Sequence, residues 1–274
     1  MNYSRNDLTK SFNPVKDKKL LSLKDEWFSE PQKIIESSKL LPIADEWWKS
    51  TKINSILGWE NFSCVDFTLG CTHYIESTAS KLKWDIQVLP FEYAIYKLMG
   101  IQESHIGYLK PDTPLFISLP NWKCSGIPEY WEDLLKECEK KNIDIHIDFA
   151  WLLISRDIKI DVSHPCIKSF GMSWSKYDMQ WNRCGMRWSR QRSLDSITIL
   201  NHYYKDTFTN VTSAAYNLIN NIERDYMWNN YSHLNQQVCD NLNLEARHSL
   251  HTALDKKNDY EVVGIGNILS KLSG

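Results

Sequence analysis

The chain has 274 residues, 42 % of them hydrophobic, and a formal net charge of −2, which allows one large globular domain or two small ones. The near-neutral charge argues against the strongly basic surface typical of a protein that binds DNA or RNA. No apolar run approaches the roughly 20 residues that span a bilayer, and the N-terminus lacks the apolar core of a signal peptide.

Seven cysteines occur without a C-x-x-C pair. This usage argues against a zinc site and against the disulfide framework of a secreted domain. Reduced thiols are typical of the cytoplasm. We therefore expect a cytoplasmic protein that holds no metal and has neither a nucleic-acid partner nor a membrane partner.

From about residue 61 onward, strand patterns alternate with helical patterns. The predicted strands cover 64–70, 84–90, 105–109, 114–120, 143–151, 166–174, 183–188 and 196–204. The predicted helices cover 42–53, 72–82, 92–99 and 128–142, and a long helix begins near Thr209. Strands that alternate with helices of about 10–15 residues predict an α/β fold with a mostly parallel sheet.

The carboxyl ends of four predicted strands carry polar or turn-forming residues. They are Gly70-Cys71-Thr72, Pro120-Asn121, Asp148 and the segment Ser173–Lys176. In a parallel sheet, ligands bind just beyond these ends. The sequence therefore predicts a binding site at this edge of the sheet.

Asp148, Lys176 and Arg183 each have an ordinary structural explanation, as an ion pair or helix cap, a surface lysine and an exposed arginine. Together with the hydroxyls of Ser173 and Ser175, they fit a single chemistry. In that chemistry a lysine forms a Schiff base with an aldehyde cofactor, an aspartate keeps the cofactor's ring nitrogen protonated, and hydroxyls and an arginine bind its phosphate.

The segment from about residue 64 to 240 resembles the fold-type-I pyridoxal-phosphate enzymes, specifically the class I/II aminotransferase family. "DFAW", "SWSK" and "RCG" are similar to that family's Asp-x-Ala-Tyr, Ser-x-Ser-Lys and Arg-x-Gly series. "FISLPNWKCSG" and "LPFEYAIY" resemble its Asn-containing loop and its Pro-x-Tyr-x-x-Tyr segment, and "FTLGCTHYI" resembles its glycine turn before a phosphate-binding helix.

The resemblance implies a role for each matching residue. Lys176 would form the Schiff base with pyridoxal 5'-phosphate, and Asp148 would pair with the ring nitrogen. Trp151, which stands where the family has a tyrosine, and Asn121 would address the ring hydroxyl. The phosphate would be held by Ser173, Ser175, Arg183, Cys71 and Thr72.

The same resemblance divides the chain into three parts. Residues 1–60 are expected to form an N-terminal arm or cover, and residues 61–240 the cofactor-binding large domain, a three-layer α/β/α structure. Residues 241–274 would form a short C-terminal segment, so that the small domain is reduced. The family's usual assembly is a homodimer, and Trp47 and Trp48 are candidates for covering its interface.

Two features depart from the family pattern. Arg183 follows Lys176 by seven residues, one fewer than usual. No motif identifies Arg247 as the arginine that would bind a substrate's α-carboxylate, so an amine or a modified amino acid stays possible beside a standard amino acid. His73 and Tyr74 are both candidates for the aromatic ring that stacks on the cofactor.

An aminotransferase is the activity expected first, and three alternatives stay open. A lyase or decarboxylase would use the same lysine and aspartate, and a non-catalytic relative would keep the fold as a binding module. A nucleic-acid-binding module is the third alternative. It would use the basic and aromatic residues Lys176, Arg183, Arg187, Arg190, Arg192, Trp181 and Trp188.

Overall fold

The computed structural model describes residues 3–29, 35–177, 183–204 and 208–273. Its strands are β1 Ser55–Leu57, β2 Cys64–Thr68, β3 Gln87–Val88, β4 Leu115–Ser118, β5 Ile145–Asp148, β6 Lys159–Asp161, β7 Ile167–Ser173, β8 Gly185–Ser189, β9 Leu244–Ala246, β10 Thr252–Asp255 and β11 Glu261–Gly264. Its α-helices are α1 Lys18–Ser29, α2 Ser37–Lys49, α3 Gly70–Lys81, α4 Ile95–Leu98, α5 Trp131–Lys140, α6 Ser196–His202, α7 Thr209–Asn221, α8 Tyr226–Leu242 and α9 Gly266–Leu272.

Six strands form the central sheet in the order β2-β8-β7-β5-β4-β3. The pairs β3–β4, β4–β5 and β5–β7 are parallel, whereas β8 is antiparallel to both of its neighbours, β2 and β7. Five of the six strands therefore run in one direction. This confirms the predicted mostly parallel sheet.

The sheet is the middle one of three layers. Because successive side chains of a strand point to opposite faces, Leu115 and Ile117 of β4 belong to one hydrophobic cluster, and Phe116 belongs to another. The first cluster includes Trp48 of α2, and the second includes Tyr74 of α3. Helices thus cover both faces, as the predicted α/β/α arrangement requires.

Two predicted strands are wrong. Residues 196–204 alternate in polarity, yet α6 forms there because the side chain of Asp195 accepts the backbone N–H of Thr198 and caps the helix. The side-chain amide of Asn201 accepts the backbone N–H of Phe67 and donates to its carbonyl, which fixes the helix against β2. Residues 105–109 contain a single 3₁₀ turn with Tyr108 82 % exposed, so no sheet face is available for them.

The long helix predicted from Thr209 is divided into α7 and α8. Ile222 has an extended backbone, and its carbonyl accepts the indole N–H of Trp47 over 2.8 Å. The carboxylate of Asp225 accepts hydrogen bonds from Thr51 and from the backbone N–H of Lys52. Tertiary contacts with α2 and with the segment after it therefore interrupt a sequence that has helical spacing throughout.

The C-terminal part forms its own small antiparallel sheet, in the order β11-β10-β9, packed with α8 and α9. The N-terminal segment joins it, because Thr9 pairs with Gly264 through reciprocal backbone hydrogen bonds. Among the helices of the described ranges, none combines the length and the apolar composition needed to cross a bilayer.

Trp47 and Trp48, which were candidates for an interface, lie in the core. Trp48 is 1 % exposed, and its ring centroid is 4.9 Å from that of Trp174 and 6.2 Å from that of Trp188. α2 therefore anchors the N-terminal segment to the face of the sheet next to the 3₁₀ turn Trp174–Tyr177, which carries Lys176.

Candidate active site

A cavity of about 530 Å³ opens at the carboxyl ends of β2, β4, β5 and β7. Eight of the nine residues predicted to hold the cofactor line it, namely Cys71, Thr72, Asp148, Trp151, Ser173, Ser175, Lys176 and Arg183. These residues come from four separate parts of the chain, and the parallel strands bring them to one edge of the sheet. The cavity is also lined by Phe12, Glu92, Tyr93, Ala94, Ser118, Pro120, Trp122 and Ala150.

Asp148 is the last residue of β5 and is 5 % exposed. Its carboxylate accepts the backbone N–H of Ala150 over 2.9 Å. Burial raises the pKa of this carboxyl, while hydrogen bonds from the Cys71 thiol and from Ala150, together with the charge of Lys176, oppose the rise. A positive group placed against Asp148 would therefore be strongly favoured.

Lys176 lies in the 3₁₀ turn that follows β7, and its Nζ is 4.9 Å from the ring centroid of Trp151. Burial lowers the pKa of this amine, and the nearby charge of Asp148 opposes the change. The side chain is thus a partly buried amine held over an aromatic ring. Such an amine is neutral for a larger fraction of the time than a surface lysine and can act as a nucleophile.

The residues predicted to bind phosphate meet at the N-terminus of α3. Arg183 Nη2 donates to Thr72 Oγ1 over 2.9 Å, and Cys71 lies beside Thr72 in the first turn of the helix. Ser173 Oγ accepts the backbone N–H of Ser175 and donates to the Cys184 carbonyl, so this hydroxyl also shapes the turn that carries Lys176.

Gly70 makes this close approach possible. Its φ is +81°, a backbone conformation that favours glycine, and a Cβ there would come within 3.2 Å of Ser173 Oγ and 3.8 Å of Arg183 Nε. The glycine turn after β2 is therefore required both by the backbone and by the space that the arginine and serine occupy.

Three other candidates lie outside the cavity lining. The side-chain oxygen of Asn121 accepts the backbone N–H of Lys123 over 2.9 Å, which closes the loop after β4. His73 Nδ1 accepts the backbone N–H of Leu69, and the Tyr74 hydroxyl is 2.8 Å from Ser169 Oγ. The aromatic rings that do line the cavity are those of Phe12, Tyr93, Trp122 and Trp151.

Sequence reasoning missed Phe12, Glu92 and Trp122. Phe12 reaches the cavity from the N-terminal segment, where its ring centroid lies 5.6 Å from that of Trp151 and 5.9 Å from that of Trp122. No local pattern predicts this contact. Glu92 had a visible signal, since it is the acidic residue in the otherwise apolar segment "LPFEYAIY" directly after a predicted strand.

Arg247 binds the backbone of a loop at the cavity and does not line the cavity itself. Its guanidinium donates to the backbone carbonyls of Trp122 and Lys123, and the residue is 8 % exposed. It therefore supports the loop that carries Trp122 from behind, and its donors are directed to that backbone.

The residues proposed for a nucleic-acid surface do not share one. Arg187 is 3 % exposed and Trp188 is fully buried, so neither can stack on a base or contact a phosphate backbone. Arg190 donates to the carbonyls of Val162, Ser163, His164 and Ile167. Trp181 lies outside the described residues. Arg187 and Trp188 are successive residues of β8, so their side chains point to opposite faces of the sheet.

Comparison with solved structures identifies the fold. An aromatic aminotransferase from Pyrococcus horikoshii aligns with a TM-score of 0.62 and 14 % identity over 90 % of this chain and 79 % of that one. A histidinol-phosphate aminotransferase from Clostridium acetobutylicum aligns with a TM-score of 0.55 and 16 % identity, covering 90 % and 81 %. A PLP-bound C-S lyase from Staphylococcus hominis aligns with a TM-score of 0.55 and 12 % identity, covering 96 % and 77 %.

No protein-family model matches the chain, and no curated protein sequence matches it. At such low identities the structural likeness concerns the fold, which agrees with the resemblance seen in the sequence. The chain has the aminotransferase-like α/β fold of the fold-type-I pyridoxal-phosphate enzymes.

Proposed function

We propose that this chain is a pyridoxal-phosphate-dependent enzyme that acts on an amino acid or another amine, and that its reaction is a transamination. One observation carries the proposal. A buried aspartate and a partly buried lysine, Asp148 and Lys176, line the same cavity at the carboxyl ends of parallel strands, with an arginine bound to a helix N-terminus beside them.

The residues at the cavity fit this cofactor. The first turn of α3 supplies backbone N–H groups beside Thr72 and Arg183, which is a donor set for a phosphate. The buried carboxyl of Asp148 fits a cationic ring nitrogen, which would return its raised pKa toward the ordinary range. When bound, pyridoxal 5'-phosphate supplies an aldehyde that condenses with amines and a ring that delocalises the electron pair left by a departing proton.

Lys176 would then provide the base. Its lowered pKa increases the neutral fraction of the amine. The neutral amine can remove a proton from the carbon that bears the substrate's nitrogen, and the ammonium formed can donate that proton to the cofactor. Asp148 would stabilise positive charge on the ring nitrogen throughout. Phe12, packed on Trp122 and Trp151, limits the access of water to this proton.

Cofactor attachment is the direct test. Purified protein mixed with pyridoxal 5'-phosphate should develop a visible absorption band, and borohydride reduction should attach one cofactor to the tryptic peptide that contains Lys176. Lys176→Ala should remove both signals while circular dichroism remains unchanged. Lys81→Ala, at the exposed C-terminal end of α3, is the matched control and should retain both.

The outcomes separate the enzyme from its alternatives. Folded wild-type protein that gives neither the band nor the reduced adduct would contradict the proposal and favour a non-catalytic binding module. An adduct on a lysine other than Lys176 would retain the cofactor and reject the assigned site.

A panel of amino donors then separates transamination from elimination or decarboxylation. Transamination requires a stoichiometric half-reaction that yields pyridoxamine 5'-phosphate and is reversed by a keto acid. Repeated turnover of a donor without pyridoxamine 5'-phosphate would favour a lyase, the activity named for the Staphylococcus hominis protein of similar fold.

We also propose a cytoplasmic homodimer. The seven cysteines are free thiols, which is typical of a reducing compartment. Leu98 is 87 % and Tyr108 82 % exposed, and burying these side chains against a second copy of the chain would be favourable. Analytical ultracentrifugation of the cofactor-loaded protein tests the dimer, and a monomer at micromolar concentration would contradict it.

A further inference from the structure

The cavity wall at the end of β4 contains polar groups that the roles above leave unused. Glu92, 8 % exposed, accepts the backbone N–H of Ser118 with both carboxyl oxygens, over 3.0 and 2.9 Å. The hydroxyl of Ser118 has no hydrogen-bond partner within the described part of the chain. Both residues line the cavity. A buried hydroxyl without a partner costs free energy, so this wall is suited to a ligand atom that bonds to it.

The order of the strands places this wall opposite the phosphate site. β5, which ends at Asp148, lies between β7 and β4 in the sheet, and Ser118 is paired with Asp148 in the register. Thr72 and Arg183 belong to the other side, next to β2 and β8. The two sets of polar groups therefore flank Asp148 on opposite sides.

The covalent structure of the cofactor matches this division. In pyridoxal phosphate, the phosphate arm and the ring hydroxyl lie on opposite sides of the line from the ring nitrogen to the aldehyde carbon. With the nitrogen at Asp148 and the phosphate at Thr72 and Arg183, the ring hydroxyl faces the end of β4. Asn121, the residue expected there from the sequence, does not line the cavity, whereas Glu92 and Ser118 do.

Resting on the proposed function, we infer that the carboxyl of Glu92 and the hydroxyl of Ser118 bind the ring hydroxyl oxygen of the cofactor. That oxygen carries negative charge when the ring is conjugated with an imine, so it needs donors. Burial raises the pKa of Glu92 to about 8, so the carboxyl is mostly protonated near neutral pH and can donate. A buried acid kept neutral for this purpose is an established use of a raised pKa.

The test compares two ligands that differ only at this oxygen. Wild-type protein is titrated with pyridoxal 5'-phosphate and with its 3-O-methyl derivative. The dissociation constant of the methyl derivative divided by that of pyridoxal 5'-phosphate measures recognition of the ring hydroxyl. Glu92→Ala should weaken binding of pyridoxal 5'-phosphate about tenfold and leave binding of the methyl derivative nearly unchanged. Glu92→Gln should retain most of the ratio, because its amide can also donate.

Ser118→Ala provides a second variant that removes only a hydroxyl and should lower the ratio in the same direction. Glu76→Ala, on the exposed face of α3, is the control and should leave both dissociation constants unchanged. The inference is overturned if Glu92→Ala and Ser118→Ala weaken both ligands equally, or if Asn121→Ala alone abolishes the ratio. Failure of wild-type protein to bind either ligand would instead contradict the proposed function itself.

Discussion

Arg183 Nη2 donates a 2.9 Å hydrogen bond to Thr72 Oγ1, which joins the segment before β8 to the first turn of α3 at the same edge of the sheet. The guanidinium is thereby held where the backbone N–H groups of a helix begin. A helix N-terminus and a fixed positive charge both favour an anion, so together they define one end of the cavity as the phosphate end.

Arg183→Met should lower the affinity for pyridoxal 5'-phosphate by roughly 10- to 100-fold, because a charge-assisted contact to the phosphate is lost. Binding of pyridoxal, which lacks the phosphate, should change little. Fluorescence titration with both ligands measures the difference, and Arg192→Met, an exposed arginine, serves as the control. An equal loss of affinity for the two ligands would show that Arg183 supports the structure of the site and does not contact the phosphate.

Glu92 should make stability depend on pH in the neutral range. Its pKa is raised from 4.5 to about 8, so the folded protein retains a proton that the unfolded chain loses. The resulting stabilisation is complete below pH 4.5 and is lost as the pH rises through 8. Glu92→Gln should match wild-type stability at pH 4.5 and exceed it by about 4 kcal/mol at pH 9.

Urea denaturation of apo wild-type and Glu92→Gln protein at the two pH values measures this difference. Glu76→Gln, at an exposed position, controls for a general effect of one fewer acidic group. Identical pH profiles for wild type and Glu92→Gln would mean that Glu92 titrates normally, and the protonated state invoked for it would be wrong.

Arg187 should be a principal determinant of stability. It bonds to the carboxylates of Asp66 and Asp195 over 2.6 and 2.5 Å, and all three side chains are nearly inaccessible to water. Arg187→Met would remove the cation that the buried carboxylates of Asp66 and Asp195 share, at a cost of about 3–5 kcal/mol. Thermal denaturation checks this, and adding Asp66→Asn and Asp195→Asn should restore part of the loss. A variant as stable as wild type would contradict the pairing.

The sequence predicted the parts of the site that follow strand ends. Asp148 and Lys176 were identifiable because a charged residue directly after a buried strand of an α/β protein points to the ligand edge. Glu92 and Phe12 were missed, since Glu92 follows a strand of only two residues and Phe12 reaches the cavity from a segment without a pattern of its own. Their positions depend on tertiary contacts.

The errors in secondary structure have the same origin. Residues 196–202 alternate like a strand, but the cap at Asp195 and the contacts of Asn201 with β2 select a helix. The break at Ile222 depends on an indole N–H from Trp47, 175 residues earlier in the chain. Local periodicity contains no information about such distant partners. The buried strands β4, β5 and β7 were predicted correctly because a continuous apolar run identifies a buried strand without reference to its partners.

Gly185 offers a test of how closely the phosphate end is packed. A Cβ on this residue would lie 2.4 Å from the Met172 carbonyl oxygen and 2.8 Å from Gly70 Cα, so Gly185→Ala must displace the backbone of β7 or of the turn before α3. We expect a loss of about 3 kcal/mol in unfolding free energy and weaker binding of pyridoxal 5'-phosphate, with pyridoxal less affected. Gly107→Ala is the control, because no atom lies within 4 Å of its Cβ position. A Gly185→Ala protein with wild-type stability and affinity would show that the start of β8 tolerates a side chain. The tight contact between β8 and the turn before α3 would then not shape the site.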